Sequence, residues 1–207
     1  MIPVRQMATI GAAAFIVAAS LAAGVALRRA GEPPVAVANP SAAAYTLIDQ
    51  NGQPVTEATY RGRWVLVFFG FTQCPDVCPT SMTYAADLME GLGPDAAKLQ
   101  VAFITIDPER DTPAALKDYL ANFDRRIVGL TGTPAQIAAA AKTFNVYYAK
   151  RPLEDANDYA MDHSTAFYLV DPNGKLLRAF ALQRGADEMT ADLREAMSLR
   201  PTKAHAP

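Results

Sequence analysis

Two stretches in the middle of the chain contain almost no polar residues. Trp64 to Phe71 reads WVLVFFGF, and Leu99 to Ile106 is the second. Runs of this length, rich in β-branched and aromatic residues, predict strands buried on both faces. Between them the pattern changes period. From Val77 to Gly91 the apolar positions Val77, Met82, Ala85, Leu88 and Met89 recur at helical spacing, and Gly91 and Gly93 predict the stop. Pro113 to Phe123 predicts a second helix, with Pro113 at its first position and Asp111 or Thr112 as its cap. A short strand over Ile127 to Leu130, a helix over Pro134 to Phe144 and a further strand over Val146 to Ala149 follow. Thr165 to Val170 and Lys175 to Leu182 flank Asp171-Pro172-Asn173-Gly174, the signature of a hairpin. Glu188 to Leu199 predicts a closing helix. Ahead of all these, Tyr45 to Ile48 predicts a short strand that runs into a turn at Asp49-Gln50-Asn51-Gly52.

Strands and helices that alternate in this way indicate an α/β sandwich, and the late hairpin makes its sheet mixed. The N-terminal part has another character. Ile10 to Leu27 is uncharged, apolar and alanine-rich, preceded by Arg5 and followed by Arg28 and Arg29. Its length is near the lower limit of the roughly 17–25 residues that span a bilayer as a helix. A transmembrane anchor is the expectation. A cleaved signal peptide is the competing one, with Ala36-Val37-Ala38 resembling a cleavage site that lies far downstream. The expected organisation is an anchor over residues 1–29, a Pro- and Ala-rich tether over 30–44, a globular domain over 45–200 and a tail over 201–207. Flanking charge does not decide the orientation.

The sequence has 207 residues, 51% hydrophobic and 19% charged, with a formal net charge of −2. That composition excludes wholesale disorder and argues against nucleic-acid binding, which needs clustered Lys and Arg. There are only two cysteines and two histidines. A disulfide-framed secreted domain would need more cysteines, so the pair points to redox chemistry or metal binding. His205 lies in the polar tail, so histidine chemistry falls on His163.

Cys74 and Cys78 sit in Phe71-Thr72-Gln73-Cys74-Pro75-Asp76-Val77-Cys78-Pro79, where a buried strand gives way to a helix. Ligands and reactive groups gather at such strand ends. A helix N-terminus favours the thiolate that binds metals and attacks disulfides. Cysteines at i and i+4 share one face of a helical turn, so their sulfurs can converge on one ion or close a disulfide. The spacing has one residue more than the common redox motif, and two soft sulfurs favour Cu(I) or Zn(II). His163 is placed in a loop before a strand, from which it can join the pair. Asp162 is either an orienting partner of that histidine or a solvated loop carboxylate. Asp107, Glu109 and Asp111 alternate like a calcium loop but lack its central glycine and its twelfth-position glutamate. Their expected roles are structural: Asp107-Pro108 ends a strand and Asp111 helps cap a helix. Met82 and Met89 are expected in the core, and Tyr147 and Tyr148 as packing or surface residues. No Ser-His-Asp set, Walker loop or dinucleotide fingerprint occurs.

Three segments resemble the Sco/SenC family of copper-binding assembly factors for cytochrome c oxidase. They are Phe69-Gly70-Phe71-Thr72-Gln73-Cys74-Pro75-Asp76-Val77-Cys78-Pro79-Thr80, then Thr105 to Pro113, then Asp162-His163-Ser164-Thr165 on to Gly174. The resemblance implies a thioredoxin-like fold behind an N-terminal membrane helix. It implies a copper ion, Cu(I) or Cu(II), held by Cys74, Cys78 and His163, with the binuclear copper site of oxidase subunit II as client. Other copper chaperones or thiol reductants are further implied partners. A metallochaperone rather than an enzyme is the expectation. A thiol-disulfide oxidoreductase using Cys74 and Cys78, or a copper or redox sensor, is the alternative. The expected location is a bacterial inner membrane, with the globular domain in the periplasm.

Overall fold

The computed structural model describes residues 35–36, 44–153, 158–182 and 185–198. The expected anchor, most of the tether and the tail with His205 lie outside the described residues. No helix among the described residues is long and apolar enough to cross a membrane.

In chain order the strands are β1 (Val35–Ala36), β2 (Thr46–Asp49), β3 (Pro54–Thr56), β4 (Trp64–Gly70), β5 (Leu99–Thr105), β6 (Val128–Thr131), β7 (Tyr148–Pro152), β8 (Tyr159–His163), β9 (Ala166–Val170) and β10 (Leu176–Ala181). The helices are α1 (Val77–Leu92), α2 (Pro113–Leu120), α3 (Pro134–Phe144) and α4 (Ala186–Ser198). Eight strands form one mixed sheet in the order β1-β10-β9-β4-β5-β6-β2-β3, while β7 and β8 pair with each other in a separate ribbon. At the centre β4 runs parallel to β5 and antiparallel to β9, and β5 runs parallel to β6.

Every residue of β4 is buried, as its unbroken apolar sequence requires. Side chains alternate between the faces of a strand. Phe69 packs against Phe144 of α3 and Tyr168, at ring separations of 5.3 and 6.1 Å. Phe68 points the other way, to Phe103 and Phe167 at 6.2 and 5.2 Å. Those rings continue to Tyr119 of α2 and Tyr84 of α1. The crossovers β4–α1–β5 and β5–α2–β6 step the same way along the sheet, so their right-handedness puts both helices on one face. The cysteines and His163 lie on this Phe68 face.

Several boundaries depart from the pattern. Helix α1 runs through Gly91 and is capped by Gly93, whose φ of 58° only glycine adopts freely. Gly91 serves packing instead, since a Cβ there would come within 3.0 Å of Thr190 on α4. The last middle strand starts at Tyr148 and continues to Pro152, and three strands, β1, β3 and β8, have no counterpart in the expected series. The hairpin β9–β10 forms as expected. Asp171 Oδ1 accepts from the amides of Asn173 and Lys175 to close its turn.

Phe69→Ala removes a fully buried ring from the contact between the sheet and α3. The expected loss is about 3–5 kcal/mol, read as a lower urea midpoint at unchanged m-value.

Candidate metal centre

Strand β4 ends at Gly70, and the chain turns through Thr72 to Asp76 before α1 begins. Cys74 lies in this turn and not on the helix; its amide donates to the Phe71 carbonyl at 3.3 Å. Cys78 occupies the first turn of α1. Its amide donates to Cys74 Sγ at 3.4 Å, while the residue before the helix, Asp76, makes no side-chain cap. The sulfur therefore takes the capping role that an oxygen usually fills. Cys78 Sγ is packed against the sheet. A Cβ on Gly70 would lie 2.8 Å from it and 2.9 Å from the rings of Phe68 and Phe103.

His163 is the last residue of β8, not part of a loop. In the ribbon it stands opposite Tyr148. Its ring meets Phe68 and Phe71 edge-on, at 6.2 and 6.1 Å. Nδ1 faces the Ser164 carbonyl at 2.9 Å. A carbonyl only accepts, so Nδ1 carries a proton, and in the neutral ring the lone pair lies on Nε2. Nε2 points to Cys78 Sγ at 3.8 Å. A metal bonded to sulfur at about 2.3 Å and to nitrogen at about 2.0 Å would set these atoms roughly 3.5–3.7 Å apart. Among the described residues no trio of His, Cys, Asp or Glu is drawn in tightly enough to grip an ion without adjustment. The cysteines are unbridged. Two sulfurs and a free imidazole lone pair nevertheless form a donor set suited to a soft ion.

Residues 35–198 match the family model described as SCO1/SenC. The chain belongs to the SCO1/SenC family. A mitochondrial SCO2 homologue of Mus musculus is 40% identical over 152 residues, which cover 72% of this chain and 60% of the mouse protein. The chain thus aligns to about three fifths of that relative's length. An SCO2-like protein of Rickettsia conorii is 43% identical over 151 residues, covering 72% of this chain and 74% of the relative. The structure of Bradyrhizobium japonicum ScoI with copper bound superposes with a TM-score of 0.69 at 44% identity, over 76% of this chain and 99% of that one. Yeast Sco1 with copper bound gives 0.72 at 34% identity, over 77% and 90%. These likenesses give the domain its thioredoxin-like α/β fold with a mixed sheet.

The two sulfurs of this SCO1/SenC domain differ in electrostatics. Cys74 is 9% exposed and Cys78 is fully buried. The Cys78 thiol donates toward Cys74 and lowers the Cys74 pKa to about 4, and the amides of Asp76 and Cys78 also favour its thiolate. The thiolate at Cys74, together with burial, pushes Cys78 the other way, so Cys78 holds the proton. The pair rests as one thiolate and one thiol.

Asp111 does not cap α2. Thr112 does, with Oγ1 accepting from the Ala115 amide at 3.2 Å. Asp111 is fully buried and accepts from Thr72 N and Oγ1 at 3.0 and 2.6 Å and from Thr105 Oγ1 at 2.6 Å. It fastens the cysteine turn to the end of β5. Burial raises its pKa while these donors oppose the shift. Asp162 points away from His163 and pairs with Arg151 at 3.2 Å, both well exposed, which makes it the solvated carboxylate of the two expected alternatives. Met82 and Met89 are buried in the core and Tyr147 is 65% exposed, as expected. Among the described residues the buried hydroxyl of Tyr119 finds no hydrogen-bond partner, and its ring packs on Phe103.

Gly70→Ala forces Cys78 Sγ and two rings aside. The expected cost is about 1–3 kcal/mol of stability by chemical denaturation, with weaker metal affinity. In the reduced, metal-free protein, Cys74 stays ionised throughout the neutral range because its pKa of about 4 lies far below. Its iodoacetamide labelling rate is expected to be flat between about pH 6 and 8, where a thiol with pKa near 8.5 gains roughly tenfold per unit. Mass spectrometry of the labelled peptide reads this. A rate that climbs with pH would show a protonated Cys74.

Proposed function

We propose that this SCO1/SenC protein binds a copper ion through Cys74, Cys78 and His163 and delivers it to the binuclear copper site of cytochrome c oxidase subunit II. The observation that carries the reading is the meeting of Cys78 Sγ and His163 Nε2 at 3.8 Å, with Nδ1 already committed to the Ser164 carbonyl. Copper-bound structures of ScoI and Sco1 support it. So does BsSco, a member of the Sco family of cytochrome c oxidase assembly proteins, which is 27% identical with a TM-score of 0.62.

Copper is cargo here. Cys74 offers a ready thiolate, Cys78 gives up its proton on loading, and His163 in its neutral form presents Nε2. Three donors leave room for a client ligand to enter before they let go. The apolar run from Ile10 to Leu27 tethers the domain to a bacterial inner membrane, with the site in the periplasm near a membrane-bound client.

A thiol-disulfide oxidoreductase is the second reading. It is favoured by the split acidity of the pair, a nucleophilic thiolate beside a proton-holding thiol. A disulfide switch has been identified in BsSco. This role needs both cysteines but not the histidine.

Cys74→Ala and Cys78→Ala are each expected to abolish tight copper binding. His163→Ala should weaken it by more than the roughly 10–100-fold that loss of an outer partner costs, measured by competition with a chromogenic chelator. Tight stoichiometric binding by all three variants would sink the site. Full restoration of oxidase assembly by His163→Ala would move the function to thiol exchange.

A further inference from the structure

Among the described residues, the ribbon that brings His163 to the cysteines makes no strand pairing with the main sheet. A two-stranded pair alone is marginal in water. Along β8 the side chains alternate, so Tyr159, Met161 and His163 share one face. Met161 is buried in the core, and Asp162 between them is 52% exposed. A slip of one residue would turn His163 away from the sulfurs. Met161 holds the middle of this stripe, but a flexible thioether fixes position poorly.

The far end is gripped by the loop after β5. The Arg110 guanidinium lies 3.8 Å from the centroid of the Tyr159 ring. Its Nη1 donates to the Tyr159 carbonyl at 3.0 Å and to Asp158 at 3.1 Å, and its Nε donates to Asp107. Tyr159 Oη donates to the buried Asp107 at 2.8 Å. On the other strand, Lys150 pairs with Glu109 at 2.6 Å and sits 4.5 Å from the same ring. The Asp107–Asp111 loop thus holds both strands of the ribbon, while its last residue, Asp111, holds the cysteine turn through Thr72.

We propose that Arg110 is a positioning residue: with Asp107 it clamps Tyr159, fixes the register of β8 and so presents His163 to Cys74 and Cys78. The proposal rests on His163 being a copper ligand. Lysine is a poor substitute, because only a planar guanidinium stacks on the ring while donating in several directions.

The test has a metal-free arm and a copper arm. In metal-free Arg110→Ala, hydrogen exchange at the paired β7 and β8 amides is expected to speed up by about tenfold or more, as for loss of charge-assisted hydrogen bonds. Exchange in β4 and β5 should stay unchanged. In the copper(II)-loaded variant, the nitrogen coupling seen by electron paramagnetic resonance should fade toward that of His163→Ala, while sulfur-to-copper charge transfer persists. Arg110→Lys should recover only part of both signals. Unaltered ribbon exchange, equal acceleration in β4 and β5, or full nitrogen coupling in Arg110→Ala would each overturn the clamp. If Arg110→Ala does not fold, Tyr159→Leu removes the ring and hydroxyl, leaves the Arg110–Asp107 pair, and is read in the same way. A copper spectrum unchanged by His163→Ala would overturn the ligand assignment, which the metal-free exchange does not depend on.

Discussion

The sulfur of Cys78 sits in space that any side chain at residue 70 would claim, with a Cβ there only 2.8 Å away. That close approach fixes where α1 starts relative to the sheet. It also buries one thiol completely and leaves Cys74 to face outward from the turn. The unequal acidity of the two sulfurs follows from this placement. The inner one keeps its proton because burial and the neighbouring thiolate both disfavour a second charge. The outer one is ionised because that proton, and the amides at the start of α1, point toward it.

Two polar devices hold the surrounding loops against this packing. Asp111 is a buried carboxylate, costly unless its oxygens are satisfied, and three donors from Thr72 and Thr105 satisfy them. Arg110 and Asp107 act on the opposite side of the same loop, toward the ribbon. The segment from Asp107 to Asp111 therefore meets both the cysteine turn and the histidine strand. Its acidic residues are spent on anchoring, which explains why a pattern that begins like a calcium loop carries none of that loop's remaining features.

The sheet and helices were largely legible because burial imposes simple periods. WVLVFFGF has no polar position to place, and β4 is buried from end to end. The cysteine pair was legible from its chemistry and its position between strand and helix. The ribbon was not. Its strands carry Lys150, Arg151 and Asp162, it is solvated on one side, and a two-stranded element leaves a weak apolar trace. His163 was consequently placed in a loop, when it ends a strand whose alternation aims it inward. Asp111 was misjudged because helix caps and buried anchors use the same short acidic side chain. Only the donors around it, Thr72 some 39 residues away among them, tell the two apart. Gly91 looked like a helix stop for a similar reason. Its purpose is room for Thr190 on another helix.

The unequal depth of the two sulfurs bears on how the pair meets an oxidant. A peroxide meets the outer thiolate first and converts it to a sulfenic acid, which further oxidant would carry on to an irreversible sulfinic acid. The thiol of Cys78 lies immediately behind, with its own amide already bonded to that sulfur. Condensation of the two would yield a disulfide and release water, and a reductant could restore both thiols. The shielded residue would then work as a built-in resolving group, turning what would be permanent damage into a recoverable state.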